Sequence, residues 1–274
     1  MPEISVIIPV FNREDFIIEC LDSVFASIYK DFECIVVNDG SSDNTLKILQ
    51  NYSQKIKIIN QENQGPSSAR NQGIRASKGE MLTFLDSDDL WLPEKLAIQA
   101  KYMADNPECR ICYTEEIWYR YGVRVNPHKK HGKHSGFIYD RCLPLCIISP
   151  SSVMIHKDVF ARTGLFDESL PACEDYDLWL RIASLYPVSL INEALIIKGN
   201  GHSNQQSQKY IGMDRFRIKS LVKMLKTFRL NEENYQLTKK ILEKKCTIYI
   251  NGCLKRSKEK EAKFYQNILS ELYE

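Results

Sequence analysis

Three carboxylates fall within four residues at Asp86-Ser-Asp-Asp89, directly after the uncharged run Met81 to Leu85. A short apolar run of this kind reads as a buried strand, so the acids emerge at a strand end. Side chains of an extended chain alternate faces, which puts Asp86 and Asp88 on one side and Asp89 on the other. Like charges so close raise each other's pKa unless a cation neutralises them, and a hard divalent ion such as Mg2+ or Mn2+ prefers carboxylate and phosphate oxygen. A metal-bridged diphosphate would suit such a claw. The competing reading is that the acids cap a following helix with Pro93 in its first turn, and capping is the role expected of Asp89. Capping does not explain why Asp86 and Asp88 share a face, and both readings stay open at this level.

Other residues invite chemistry of the same kind. Glu174 and Asp175 begin a stretch with apolar residues at Leu178, Trp179, Ile182, Ala183 and Leu185, which is helical spacing. Acids there are stabilised by the helix macrodipole, or one of them is a general base facing a crevice. Asp39 either serves a tight Asp-Gly turn or accepts hydrogen bonds from the N–H edge of a base, and Phe11 offers a ring face for stacking. His202 lies in a polar, glycine-rich stretch, 198–207, within reach of a metal or phosphate if the loop turns inward.

The elements that must position these residues alternate. Strands are expected at 5–10, 33–37, 56–60 and 81–85, with helices at 13–28, 44–54 and 69–77 between them. Such alternation is the pattern of a parallel sheet wound with helices. Ligands then bind beyond the carboxyl ends of the strands, where Phe11-Asn-Arg, Asn38-Asp-Gly-Ser and Asp86-Ser-Asp would meet. Further on, a helix is expected from Pro93 to about 104, strands at 111–121, 147–155 (broken at Pro150) and 190–197, and a short helix at 156–163. A polar, basic loop is expected at 122–135. From Tyr210 onward the spacing is wholly helical, so the chain divides into 1–207 and a helical extension, 208–274.

Composition narrows the classes. A chain of 274 residues with 43% hydrophobic and 26% charged residues can bury a sizeable core. A net charge of +2 gives no reason to expect nucleic acid as a partner. Neither G-x-G-x-x-G nor G-x-x-x-x-G-K-[ST] occurs, which argues against a dinucleotide enzyme and a P-loop NTPase. A nucleotidyltransferase is disfavoured because no glycine-rich, lysine-bearing loop lies near the N-terminus. The nine cysteines and the lack of a long apolar leader suggest reduced thiols in a cytoplasmic protein. A zinc site from Cys109, Cys112, Cys142 and Cys146 is the minor reading, since Cys112 and Cys146 sit in apolar runs. His128, His131 and His134 read as part of the basic loop.

Taken together, Pro9-Val-Phe-Asn-Arg, Val37-Asn-Asp-Gly-Ser-Ser-Asp43, Ala69-Arg-Asn-Gln-Gly73, Gly79-Glu80, Phe84-Leu-Asp-Ser-Asp-Asp89 and Glu174-Asp-Tyr-Asp-Leu-Trp-Leu-Arg181 resemble family 2 glycosyltransferases of the GT-A fold. The resemblance spans about residues 3–207 and rests on the order of six motifs, each weak alone. It implies an α/β, Rossmann-like mixed and mostly parallel sheet flanked by helices. It also implies an inverting, Mg2+- or Mn2+-dependent transfer of a sugar from a nucleoside diphosphate donor to a saccharide or lipid-linked saccharide hydroxyl. By the same resemblance Asp39 is the base-reading acid, with Pro9 and Phe11 lining the base pocket and Arg70 near the donor. Asp88 binds the metal with Asp86 beside it or facing the ribose, and His202 matches a position where some relatives place a histidine on the metal or diphosphate. Asp175 is the implied catalytic base, with Glu174 as its neighbour or an acceptor contact. The rival is a non-catalytic nucleotide-sugar-binding or scaffold protein of the same fold. For the basic C-terminal helices, packing on the domain is the default and peripheral contact with the inner face of a membrane the alternative. The sugar, base, acceptor and oligomeric state are not encoded in these motifs.

Overall fold

The computed structural model of the protein describes residues 1–126, 128, 131–200, 210 and 212–272. The chain begins with the expected alternation: β1 (Ile4–Val10), α1 (Ile17–Phe25), β2 (Phe32–Asp39), α2 (Thr45–Gln50), β3 (Lys57–Gln61), α3 (Pro66–Ala76) and β4 (Met81–Phe84). A short strand, β5 (Asp89–Trp91), comes next, then α4 (Lys95–Asp105), β6 (Ile111–Arg120), β7 (Val123–Val125) and α5 (Tyr139–Cys142). A single 3-10 turn at Pro150–Ser152 leads into β8 (Val153–His156), α6 (Val159–Thr163), α7 (Glu174–Ala183) and β9 (Ser189–Asn200). The last three helices are α8 (Asp214–Thr227), α9 (Glu232–Leu254) and α10 (Glu259–Ser270).

The strands form one sheet in the order β3-β2-β1-β4-β8-β6-β9-β5, with β7 on β6. The first four run parallel, β8 is antiparallel to both β4 and β6, and β6 and β9 are parallel. Buried on both faces, β1 is apolar at every position but Ser5, whose hydroxyl donates to Glu33, as suits a parallel strand covered by helices. The close fit of α3 on this sheet depends on Gly73, where a Cβ would lie 2.3 Å from Ile7 Cγ2. Helices α8 and α9 contribute Ile218, Leu221, Met224, Leu242 and Cys246 to the same buried cluster as Trp179, Tyr176 and Phe84. The basic C-terminal helices therefore pack their apolar stripes on the α/β domain. The 207/208 boundary itself lies outside the described residues.

Several expectations change. The strand expected at 147–155 is only Val153–His156, because Pro150 opens a helical turn, and the segment before it holds the short α5. The supposed loop at 122–135 contains β7, which forms a hairpin with β6 through Tyr121 and Gly122, both at positive φ (51° and 75°) as a tight two-residue turn requires. The strand expected at 190–197 runs on through Lys198 to Asn200, so Lys198 is a strand residue. All nine cysteines are free thiols, eight of them buried. No described helix is long and apolar enough to cross a membrane.

Candidate active site

Parallel register brings three strand ends to one edge. Val10 is opposite Asn38 and Ile7 is opposite Phe84, so Phe11, Asp39 and Asp86 leave the sheet side by side. The loops after β1 and β2 are laced together: Asn12 N donates to Ser41 Oγ (3.0 Å), Arg13 N to Thr45 Oγ1 (2.8 Å) and Ser42 N to Asn12 Oδ1 (2.8 Å). Asn12 is left-handed, with φ 51°, a conformation asparagine tolerates. Pro9 is buried, whereas the Phe11 ring is 41% exposed and open to a ligand.

Asp39 is buried at the end of β2. Its Oδ1 accepts from Gln61 Nε2 (2.7 Å) and Gln64 N (2.8 Å), and its Oδ2 from Gly65 N (2.9 Å). These bonds fix the turn that enters α3 and use three of the roughly four lone-pair sites of a carboxylate. The turn role is thus the one these bonds show, and about one lone-pair site is left for a further donor.

The acid turn is anchored from behind. Asp86 N donates to Ser151 Oγ (3.1 Å), and Ser151 Oγ donates to Asp89 Oδ2 (2.6 Å). Asp89 does not cap a helix: it is the first residue of β5, paired with Lys198 of β9, whose Nζ lies 3.2 Å from Asp89 Oδ2. The helix begins only at Lys95, after Pro93, so the cap expected of Asp89 has no helix end to serve. Burial, reinforced by Asp88 and Asp86 and opposed by Lys198, pushes the Asp89 carboxyl up to about 7. Lys198 loses from its own burial but is held above its ordinary value by Asp89, Glu116, Asp86 and Asp88. A Cβ on Gly199 would sit 2.6 Å from the Asp88 carbonyl oxygen, so glycine there lets β9 pass against the turn. Asp86 and Asp88 are half-buried while Asp89 is buried, as alternation predicts.

One arginine joins the two acidic motifs. Arg70, buried on α3, donates Nη2 to Asp86 Oδ1 at 2.7 Å and Nη1 to Glu174 Oε1 at 2.8 Å, with its guanidinium 5.2 Å from the centre of the Phe166 ring. Burial raises the Asp86 carboxyl, but Arg70 and then Lys198 more than offset it and hold it below the ordinary range. For Glu174 burial wins: with Asp175 adding repulsion, its carboxyl is raised despite Arg70. The neighbouring Asn71 holds the chain before α7, donating Nδ2 to the Phe166 carbonyl (2.9 Å) and accepting from Phe166 N (3.0 Å).

Helix α7 starts after Cys173, which has φ 61°, and places Glu174, Asp175 and Asp177 in its first turn, where the macrodipole favours acids. The three then diverge. Glu174 turns inward to Arg70, and Asp177 is buried against Arg181 (2.7 Å) and Lys223 (3.0 Å) as an anchor for α8. Asp175 is half-buried, with Oδ1 accepting from Tyr176 N (2.7 Å) and Oδ2 from the Cys146 thiol (3.4 Å). That thiol is pushed well up by burial and then by Asp175, so it remains a donor.

Of the residues singled out in the sequence, Pro9, Phe11, Asp39, Asp86 and Asp88 share the strand-end edge, and Arg70 ties Glu174 to it, with Asp175 the next residue of α7. His202 lies outside the described residues. The sequence reading missed Ser151 and Lys198. Extending the apolar alternation of β9 beyond Ile197 would have found Lys198, but nothing local marks Ser151. Among the described residues no three His, Cys, Asp or Glu converge as a metal-ligand group. The hard oxygens of Asp86 and Asp88 instead suit the way Mg2+ is held by one or two carboxylates and completed by phosphates and water.

A model of the family described as "Glycosyl transferase family 2" matches residues 5–164. The Escherichia coli protein named UDP-Glc:alpha-D-GlcNAc-diphosphoundecaprenol beta-1,3-glucosyltransferase WfgD is 31% identical over 221 residues, covering 78% of this chain and 81% of that protein. The chain also matches uncharacterized glycosyltransferases of Rickettsia, of which it spans about one third (31%) to two thirds (65%) of the length. Among solved structures, S. aureus TarS 1-349 in complex with UDP-GlcNAc is similar with a TM-score of 0.73 at 22% identity, covering 88% of this chain and 72% of that one. The mannosyltransferase PcManGT from Pyrobaculum calidifontis, in complex with GDP-Man and Mn2+, is similar with a TM-score of 0.66 at 16% identity, covering 98% and 83%. These likenesses establish the fold as GT-A.

Proposed function

Since the chain belongs to glycosyl transferase family 2, we propose that it is an inverting glycosyltransferase that moves a sugar from a nucleoside diphosphate donor to a hydroxyl of a saccharide or lipid-linked saccharide. The observation that carries this reading is the Arg70 bridge, which holds the strand-end acid Asp86 and the helix-start acid Glu174 on one guanidinium although they lie 88 residues apart in sequence (174 − 86). Donor and acceptor machinery are thereby joined by a buried, charge-assisted pair of bonds.

In this reading Phe11 stacks on the nucleobase, Pro9 backs the pocket, and Asp39 accepts from the base edge while holding the Gln64-Gly65 turn. Asp88, with Asp86 beside it, would hold Mg2+ or Mn2+, and the ion would supply positive charge to the departing diphosphate. Asp175 takes the proton of the acceptor hydroxyl as that oxygen attacks the anomeric carbon. Its Oδ1 is fixed by the Tyr176 amide and its Oδ2 by Cys146, so the carboxylate is oriented before substrate arrives. Glu174 stays bound to Arg70 and positions the start of α7. A single displacement needs base and leaving group on opposite sides of the sugar, which suits Asp175 and Asp88 coming from distant segments. The lipid-linked part of the acceptor class is supported by the E. coli relative, whose name gives a diphosphoundecaprenol-linked acceptor.

The test is transfer from a panel of nucleotide sugars with Mn2+ to short saccharide and lipid-diphosphate saccharide acceptors, with the product anomer read by proton NMR. The expected product has the anomeric configuration opposite to that of the donor. A product of retained configuration would overturn the single displacement, and donor binding without transfer to any acceptor would favour a binding protein.

A further inference from the structure

A cavity lies away from the strand ends, among the C-terminal helices. It encloses about 620 Å3 between the start of α8 (Gly212 to Arg217), the last turns of α9 (Ile248 to Cys253) and the segment from Arg256 to Glu261. Small-molecule sites are typically about 300–1,000 Å3, so it has room for a ligand larger than a single anion.

Its walls are of two kinds. Arg215, Arg217, Arg256 and Lys258 line it against two carboxylates, Asp214 and Glu261. Both acids are engaged: Asp214 pairs with Arg217 and Lys245, each at 2.9 Å, and Glu261 accepts from Tyr249 Oη (2.7 Å) and faces Lys258 (3.6 Å). Among the described residues neither Arg215 nor Arg256 is paired with a carboxylate; Arg215 rests on the Phe216 ring at 4.6 Å, and Arg256 Nη1 donates to the Gly252 carbonyl (2.8 Å). The Nε atoms of Arg215 and Arg217 are shielded from water and have no acceptor among the described residues. The other wall is apolar, from Met213, Tyr249 and Ile248, the last 56% exposed. Surplus guanidinium beside an apolar wall fits an anionic head attached to a hydrocarbon chain better than a free anion, for which Ile248 and Met213 would supply nothing.

The cavity also backs onto the candidate base. Met213 at its edge accepts from the Cys173 thiol (3.8 Å), and Cys173 immediately precedes Glu174 and Asp175. Arg217 is held above its ordinary value by Cys173, Asp214 and Cys146, against its own burial, and Cys146 is the residue that donates to Asp175.

We propose that this cavity binds the diphosphate and first lipid units of a polyprenyl-diphosphate-linked acceptor, with Arg215 and Arg256 on the phosphates and Ile248 and Tyr249 along the chain. The inference rests on the glycosyltransferase reading for its purpose, but its ligand can be tested without turnover. Titration calorimetry of the full chain in EDTA, which removes any metal-dependent binding at Asp88, would use farnesyl diphosphate and inorganic pyrophosphate. Farnesyl diphosphate is expected to bind, with pyrophosphate at least 10-fold weaker. The Arg215→Glu/Arg256→Glu variant should lose at least 10-fold in farnesyl diphosphate affinity at an unchanged thermal midpoint, whereas Lys263→Glu, an exposed charge reversal on α10, should bind as the wild type does. Equal affinity for the two probes would overturn the lipid assignment. Wild-type affinity in the double variant, or an equal loss in Lys263→Glu, would overturn the site. Farnesyl diphosphate binding in a protein that transfers no sugar would contradict the catalytic reading and leave the cavity's ligand in place.

Discussion

The strand-end site and the C-terminal cavity handle charge in opposite ways. Around Asp86 nearly every ionised group has a buried opposite: Arg70 serves two acids, and Lys198 serves Asp89. Among the residues that line the cavity the cations outnumber the acids, and among the described residues Arg215 and Arg256 make no ion pair with a carboxylate, although the charge of Arg215 helps to lower the Glu261 carboxyl. A site whose charges are already matched is preorganised, so removing one member has a structural as well as a chemical cost. A site with surplus charge has its affinity reserved for a ligand, and removing one cation there costs binding and little else.

Four changes would break or sharpen that contrast. Asp175→Asn keeps the shape of the side chain while removing the base, so transfer should fall by roughly 10²- to 10⁴-fold with donor affinity unchanged. Retention of most of the activity would mean that another group takes the proton. Arg70→Ala leaves Asp86 and the buried Glu174 without their common partner, and denaturant unfolding should show a loss of about 3–5 kcal/mol, the range for one partner removed from a buried pair. A loss below about 1 kcal/mol would show that the bridge is no stronger than a surface ion pair.

Ser151→Ala should be milder, about 1–3 kcal/mol, because it deprives the Asp89 carboxylate of its hydroxyl donor and the Asp86 amide of its acceptor. The fourth change reads out as a pH dependence and concerns Lys95, which is fully buried, donates to Gln99 Oε1 (2.6 Å) and lies 4.0 Å from the centre of the Trp91 ring. Burial lowers its ammonium to about 7 against an ordinary 10.5. Between those values the unfolded chain binds the extra proton and the folded one does not, so stability should rise with pH across that window and be flat in this term below it. In Lys95→Met the rise should disappear; an unchanged slope would assign it to other groups.

The sequence made the strand-end site legible because spacing alone decides much of it. Strand and helix alternation placed Phe11, Asp39 and Asp86 on one edge, and period-2 alternation correctly separated Asp89 from Asp86 and Asp88. What Asp89 does was not legible, since its partners come from far along the chain, Lys198 by the pairing of β5 with β9 and Ser151 from the turn that leads into β8. Arg70 stood out only as a basic residue near the donor. Its two hydrogen bonds, one to Asp86 and one to Glu174, depend on α3 and α7 meeting, which no local pattern encodes. The cavity was equally hidden, because a basic amphipathic helix reads the same whether its cations face solvent or a pocket.

The central claim, that the strand ends hold a metal-bridged nucleotide sugar, is tested most directly by the thermal midpoint against nucleoside diphosphates and nucleotide sugars, with and without Mn2+. A ligand that binds only the folded state raises the midpoint, by about 2.7 kcal/mol of added stability at 100 times its dissociation constant. The account predicts a shift with one nucleotide class that needs Mn2+ and is lost in Asp88→Ala. A shift of the same size in EDTA, or one that survives Asp88→Ala, would contradict the acid claw.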